Sequence, residues 1–302
     1  MKNPELAHAT AELCQELNVR KLTVPFQFPL GLARQLRKLG LRIKVREGNF
    51  FPERQFKSAA EVKMITASLG MAEVGMAEGL HALKRAKVGP ERKLLLHGAP
   101  LTSEKLRAII DTAVLQAGGV AVNTIVAGGL QACDPNELGH GSLLANSPVV
   151  IGIHPRSART GYHGRIARTV VRGRASDAVR RQFITVLKGQ AIAFTMLRNR
   201  VEAGEIHTAL ERYFRSEGYR SRRQQGRPVG FLHGTGQGLG LEAQEAPQLN
   251  HGSPTLLREG HVVAIQPGLY YPETGGVRLE DVVLITAGEP QNLTQFEKTL
   301  EV

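Results

Sequence analysis

The order of helical and strand-like segments constrains this chain more than any other feature. Residues 59–86 and 101–117 (LTSEKLRAIIDTAVLQA) have helical spacing, and strand-like runs follow at 120–127, 148–153 and 164–171. The plan then repeats. Helices are expected at roughly 175–197 and 203–216, with strand-like runs at 262–266 and 277–286. Helix pairs alternating with antiparallel-looking strands on both sides of the middle predict an α+β domain of two related halves. Ser58 is placed to cap the first long helix, with Glu61 completing a capping box. Thr102 or Ser103 caps the second, which stops at Gly118 and Gly119.

Residues 1–57 read as a separate, short α/β piece. Leu6, Leu13 and Leu17, with Ala7, Thr10 and Cys14, form one face of a helix over 5–17. A strand at Lys21–Val24, a helix at 31–39 and a strand at Leu41–Val45 follow. The phrase NFFPERQFKSAAEV marks the boundary, because Pro52 interrupts regular structure. Residues 58–302 make up the larger domain.

Composition narrows the class. With 302 residues, 42% hydrophobic and 22% charged, the chain suits a globular protein with a sizeable core. No run of 18 or more apolar residues occurs, so no membrane-spanning helix is expected. The first residues lack the apolar segment of a secretory signal, and the only cysteines are Cys14 and Cys133. A cytoplasmic protein without a disulfide framework is expected. The net charge is +12, which attracts anionic partners weakly. The densest basic run, Arg212 to Arg227, has no nucleic-acid motif around it, so a solvated loop accounts for it and no nucleic-acid partner is expected. The glycines of GTGQGLG fall at 234, 236, 238 and 240 and do not make a GxGxxG nucleotide loop.

Four segments stand out together: TIVAGGLQACDPNELG (124–139), PVVIGIHPRSARTGYHGRIART (148–169), FLHGTGQGLGLEAQEAP (231–247) and LREGHVVAIQPGLYYPETGGVRLEDVVLIT (257–286). In order and spacing they resemble the Xaa-Pro aminopeptidase and prolidase branch of the creatinase–methionine aminopeptidase family. The resemblance covers about residues 58–302. It implies the family's pita-bread fold, two pseudo-symmetric halves around a cleft. The first 57 residues resemble the tail of a longer N-terminal domain, and a partial domain of this kind leaves an apolar face or sheet edge open, which implies either dimerisation over that surface or an incomplete sequence.

Active members of that family hold two divalent cations, such as Mn, Co or Zn, with two Asp, one His and two Glu. Two cations about 3.5–4 Å apart need several carboxylates to offset their charge, and together they generate a hydroxide nucleophile near neutral pH. This sequence departs from that set. The first Asp position is occupied by Gly152, although counting eleven residues back from the second Asp position would select His154. The second Asp position, three residues before Arg168-Thr169, is Arg165. The family's His is Gln237, and the Glu before Pro-Gly is Gln266. Glu280 alone is retained.

Positions next to the ligands follow the same trend. The family histidine after Asp-Pro is Asn136, and that of the HExP motif is Gln244, followed by Glu245. His233, Tyr162 and Arg278 keep the family's residue types, and the resemblance assigns His233, Tyr162, Arg278 and Glu245 to substrate contact. Glycine has no donor, and an arginine cannot lose its proton to bind a cation. Charge over the five ligand positions falls from about −4 to zero, so no cofactor is expected. Arg165 and Glu280 are expected to pair where cations would sit, because a buried charge needs a partner. Asn136, Gln237, Gln244 and Gln266 would form a hydrogen-bonding floor. A relocated single-metal site would draw on His140, His154, His163 and Glu137.

Three functions compete on this basis. They are a peptidase-like protein binding a peptide-like or small ligand without cleaving it, an active Xaa-Pro peptidase with unusual ligands, and a basic scaffold for nucleic acid.

Overall fold

The computed structural model describes residues 5–302. The chain divides into two compact units, Met1–Arg54 and Gln55–Val302.

In the smaller unit, helix α1 (Leu6–Glu16) precedes strand β1 (Lys21–Pro25), helix α2 (Leu30–Lys38) and strand β2 (Arg42–Arg46). The strands pair in parallel, with Lys21 opposite Arg42 and Pro25 opposite Arg46. Ala7, Cys14, Leu36 and Leu41 form its small core. The leucine face expected of α1 is not what the unit buries. Leu6, Leu13 and Leu17 are 67%, 55% and 63% exposed, while Ala7 and Cys14 face inward. A two-stranded sheet offers little surface, so only the small residues of α1 reach it.

The larger unit follows the repeated plan. Helix α3 (Ala59–Arg85) starts at Ser58, whose hydroxyl accepts from the Glu61 amide while the Glu61 carboxylate accepts from the Ser58 amide at 2.9 Å. Helix α4 (Ser103–Gln116) is capped by Thr102. The two helices approach closely at glycines of α3. A Cβ at Gly75 would lie 2.8 Å from Val114 Cγ2, and one at Gly79 2.9 Å from Ile110 Cδ1. Against them packs a three-stranded antiparallel sheet in the order β5 (Ile166–Val171), β4 (Pro148–Ile153), β3 (Ile125–Gly128).

The second half has helices α5 (Asp177–Met196) and α6 (Ala203–Ser216). Its strands are β6 (Gly236–Gly238), β7 (Glu245–Leu249), β8 (Val262–Ile265), β9 (Gly268–Tyr271), β10 (Gly275–Arg278), β11 (Asp281–Leu284) and β12 (Gln291–Asn292). They form a five-stranded antiparallel sheet, β7-β6-β8-β11-β12, and a β9-β10 hairpin. One apolar core underlies each helix pair.

Two strand-like runs and one expected loop differ from the pattern in the sequence. The run 120–127 holds an interruption at Asn123, whose φ of 52° is left-handed. The run 277–286 divides into β10 and β11, and Glu280 in the gap bridges Ala167 of β5. The Arg212–Arg227 region ends in a short hairpin, Arg222–Gln224 with Arg227–Val229, rather than a plain loop.

Candidate functional site

The Ala167–Glu280 bridge joins the two halves and decides where the charged side chains go. Residues two apart on a strand share a face, so Arg165, two before Ala167, lies beside Glu280. Its Nε donates to Glu280 Oε1 at 2.5 Å, and the Glu280 carboxylate is fully buried. Arg165 also donates from Nη2 to Gln266 Oε1 at 3.3 Å and from Nη1 to the Ala243 carbonyl at 3.3 Å. Gln266, immediately after β8, passes the chain on from Nε2 to Gln237 Oε1 at 2.7 Å. Gln237 stands opposite Ala264 where β6 pairs with β8. The expected ion pair and two of the four amides of the expected floor are thus in one bonded network.

Burial alone would raise the Glu280 carboxyl, but the charge of Arg165, with His154 and Arg278, outweighs it and holds the group far below the usual carboxylate range. His154, just past the end of β4, has Nε2 3.5 Å from Glu280 Oε2. Burial and the nearby Arg165 push its pKa down to about 4, so it is neutral at physiological pH. It belongs to the charged cluster and not to a loop at the cleft mouth.

Gly152, two residues earlier on the same face, leaves a space that Arg278 fills. A Cβ at 152 would come within 2.6 Å of Arg278 Nη2. Arg278 is 5% exposed and donates from Nη1 to the Pro135 carbonyl at 3.3 Å. Its strand is fixed to β5 by Thr169, whose hydroxyl donates to the Arg278 carbonyl at 3.0 Å.

Over this cluster lies a cavity of about 1280 Å³. Asn136, His154, Arg165, His233, Gln244, Gln266 and Arg278 are on its wall. His233 has both ring nitrogens engaged. Nδ1 donates to the Gly234 carbonyl at 2.9 Å, which leaves Nε2 to accept from the Tyr270 hydroxyl at 2.7 Å. Burial lowers the His233 pKa to about 4 and raises that of Tyr270 to about 12, so the imidazole is neutral and the phenol keeps its proton. Tyr162 and Glu245 are not on the cavity wall. The Tyr162 hydroxyl donates to Glu61 Oε1 at 2.7 Å, and Glu245 pairs with Lys57 Nζ at 3.0 Å. His140, His154, His163 and Glu137 all stand on the cavity wall, with His140 3.7 Å from Glu137 and His154 3.5 Å from Glu280. Among the described residues no group of three or more His, Cys, Asp or Glu is arranged to hold a metal ion.

Two supporting residues escaped the sequence reading. Tyr270 orients His233, and its place in GLYY four residues after Gln266 was a signal. Arg168 stands in the sequence as part of the Arg-Thr pattern, which gives no sign of its partners. It is 1% exposed, reaches Asp281 at 2.8 Å, and donates to the carbonyls of Ala167, Glu280, Phe296 and Glu297. It fixes the backbone on both sides of Glu280.

The fold, two helix-backed halves around a cleft, is that of the pita-bread proteins. The structure superposes on an X-Pro aminopeptidase from Thermotoga maritima with a TM-score of 0.83 at 20% identity, covering 100% of this chain and 81% of that one. It superposes on the prolidase from Pyrococcus horikoshii with a TM-score of 0.82 at 24% identity, covering 96% and 79%. Residues 63–287 match the model of metallopeptidase family M24, and the chain belongs to that family. Curated relatives agree. A Bacillus subtilis protein described as an uncharacterized peptidase, YqhT, is 29% identical over 245 residues, covering 75% of this chain and 67% of its own. A Xaa-Pro dipeptidase of Pyrococcus furiosus is 31% identical over 180 residues, covering 60% and 49%. The chain is a Xaa-Pro-dipeptidase-like member of family M24.

Proposed function

We propose that this protein holds no binuclear metal centre, does not hydrolyse peptides, and uses its cleft to bind a peptide-like or other small ligand. The observation that carries this reading is the Arg165 guanidinium bonded to Glu280 at 2.5 Å. Two divalent cations do not fit the donors present. Gly152 supplies none, Gln237 and Gln266 supply neutral amides, and Glu280 is a single carboxylate already engaged by a cation. A guanidinium about 4 Å from a dication would repel it by roughly 8 kcal/mol at an effective dielectric of about 20. Without a metal-activated water, His233 has no nucleophile to assist, and its nitrogens are already occupied.

The test pairs two measurements: metal content after dialysis against manganese, cobalt or zinc, and cleavage of Xaa-Pro dipeptides. Substoichiometric metal and no turnover are expected. Stoichiometric metal with turnover would replace this reading with an active peptidase using non-standard ligands. The proposal includes a cytoplasmic setting, which the unpaired Cys14 and Cys133 support.

A further inference from the structure

The basic run after α6 is built into a shaped arm. Residues Arg222–Gln224 pair with Arg227–Val229, with Arg222 opposite Val229 and Gln224 opposite Arg227. Only Gln225 and Gly226 lie in the turn, both left-handed at φ 49° and 78°, and such a two-residue turn matches the twist of the strands it joins. A hairpin this short is marginal by itself. Contacts with the body of the domain hold it in place. The Gln224 amide donates to Glu273, the Tyr271 hydroxyl donates to the Arg220 carbonyl at 3.0 Å, and Gly230 bridges Tyr270 of β9. Val229 is buried at its base.

What the arm presents is arginine. Arg215, near the end of α6, and Arg220 line one surface depression of about 350 Å³. Arg222 and Arg223 stand on the first strand of the hairpin and Arg227 on the second. All five are exposed, and none is in an ion pair among the described residues. Elsewhere Arg165, Arg168, Arg180 and Arg198 each meet a carboxylate. The carboxylates near the arm are engaged otherwise. Glu211 lies 3.6 Å from His207 and 3.8 Å from His251, and Glu273 accepts from Gln224. No lysine lies between Arg212 and Arg227. Lysine would serve a merely solvated basic face equally well, whereas arginine alone suits paired hydrogen bonds to carboxylate or phosphate.

The surroundings decide between those two anions. Single-stranded nucleic acid needs exposed rings on which its bases stack. Tyr219 and Tyr271 instead face each other, with centroids 5.6 Å apart, and both are half-buried. The arm also adjoins the cleft, because Arg227 and Pro228 are on the cavity wall with Asp134 and Glu137. Those carboxylates would repel a phosphate backbone, whose charge is uniform along its length. A peptide can set acidic side chains against the arm and neutral ones against that wall.

We propose that the hairpin is a docking arm for an acidic peptide segment, whose carboxylates take hydrogen bonds from Arg220, Arg222 and Arg223 at the rim of the cleft. This rests on the reading of the cleft as a site for a peptide-like ligand, and it adds the charge that the ligand carries.

The test uses the full chain at low ionic strength and three fluorescein-labelled probes read by anisotropy. They are a peptide of alternating Glu and Ala, the same peptide with Lys for Glu, and a short single-stranded oligothymidylate. The Glu-Ala peptide should bind saturably and weaken as salt is raised. Arg222→Ala with Arg223→Ala should weaken it about tenfold or more. Arg222→Glu with Arg223→Glu should transfer binding to the Lys-Ala peptide. Both side chains are exposed and unpaired, so circular dichroism should stay unchanged in these variants. Three results would overturn the proposal: no saturable binding of the Glu-Ala peptide, equal binding by the wild type and the double alanine variant, or tighter binding of the oligothymidylate than of the Glu-Ala peptide. Manganese uptake and Xaa-Pro dipeptide cleavage by the same preparation keep the two readings apart. Stoichiometric uptake with turnover defeats the metal-free reading alone, whereas absent uptake with absent Glu-Ala binding defeats only the docking arm.

Discussion

Arg165 and Glu280 come from opposite halves of the larger unit and meet as a buried ion pair, Nε to Oε1 at 2.5 Å, with Glu280 sealed from solvent. Such a pair makes each partner dependent on the other. Arg165→Met should destabilise the fold by about 3–5 kcal/mol, because it strands a buried carboxylate. Arg165→Met combined with Glu280→Leu should recover most of that loss. Urea unfolding of the four species gives the coupling. A double variant as unstable as the sum of the singles would mean that the pair contributes nothing jointly.

Arg168 should matter for stability as much as any apolar core residue. It neutralises Asp281 and donates to four carbonyls, two of them in the C-terminal segment at Phe296 and Glu297. Arg168→Leu is expected to cost about 3–5 kcal/mol. Lys298, which also contacts Asp281, compensates only the charge. Hydrogen exchange should accelerate first over residues 293–302. Uniform acceleration, with no lead in that segment, would count against a local clasp.

Restoring the family's ligand set should restore cation binding. Gly152→Asp, Arg165→Asp, Gln237→His and Gln266→Glu together raise the carboxylates at these positions from one to four. The variant should bind manganese near stoichiometrically, measured by metal analysis after gel filtration. A folded variant that takes up no metal would mean that the cleft has changed shape as well as charge.

Acid should weaken the fold above the range in which carboxylates titrate. His233 and His261 are each lowered to about 4, mainly by burial, against about 6.5 when unfolded. The neutral imidazole is the buried form, so the unfolded chain binds more protons between those values. Their contribution is complete above pH 6.5 and is lost as pH falls towards 4. Lys57 and Arg258 face His261, while Arg278, Glu280 and His207 act on His233. The urea midpoint should be lower at pH 5 than at pH 7, by the equivalent of about 1–2 kcal/mol per histidine. A midpoint that is flat or higher at pH 5 would contradict this.

Much of this architecture is legible in the residues because period and caps are local. Ser58 and Glu61 announce the start of α3, and the structure closes both capping bonds. The α1 leucines show where such reading fails. Helical spacing identifies an apolar face, but whether anything covers it depends on neighbours far along the chain. Around the cleft, motif position placed Arg165, Glu280, Gln237 and Gln266, which meet because strand pairing fixes their register. The same positions did not reveal that Tyr162 and Glu245 are already held by Glu61 and Lys57. Side-chain partners separated by 101 and 188 residues leave no trace in spacing.

The missing side chain at Gly152 has a consequence for how this cleft can change over time. Arg278 occupies that vacancy, so an aspartate appearing there alone would be claimed by a guanidinium before any cation reached it. An aspartate at 165 alone would put two carboxylates against each other in a sealed space. Each of these two single changes towards the family's ligand set is therefore neutral or harmful on its own. Arg165 and Arg278 thus lock the cleft electrostatically: a carboxylate added at either position must be matched by a change at the other before the space can hold a different charge.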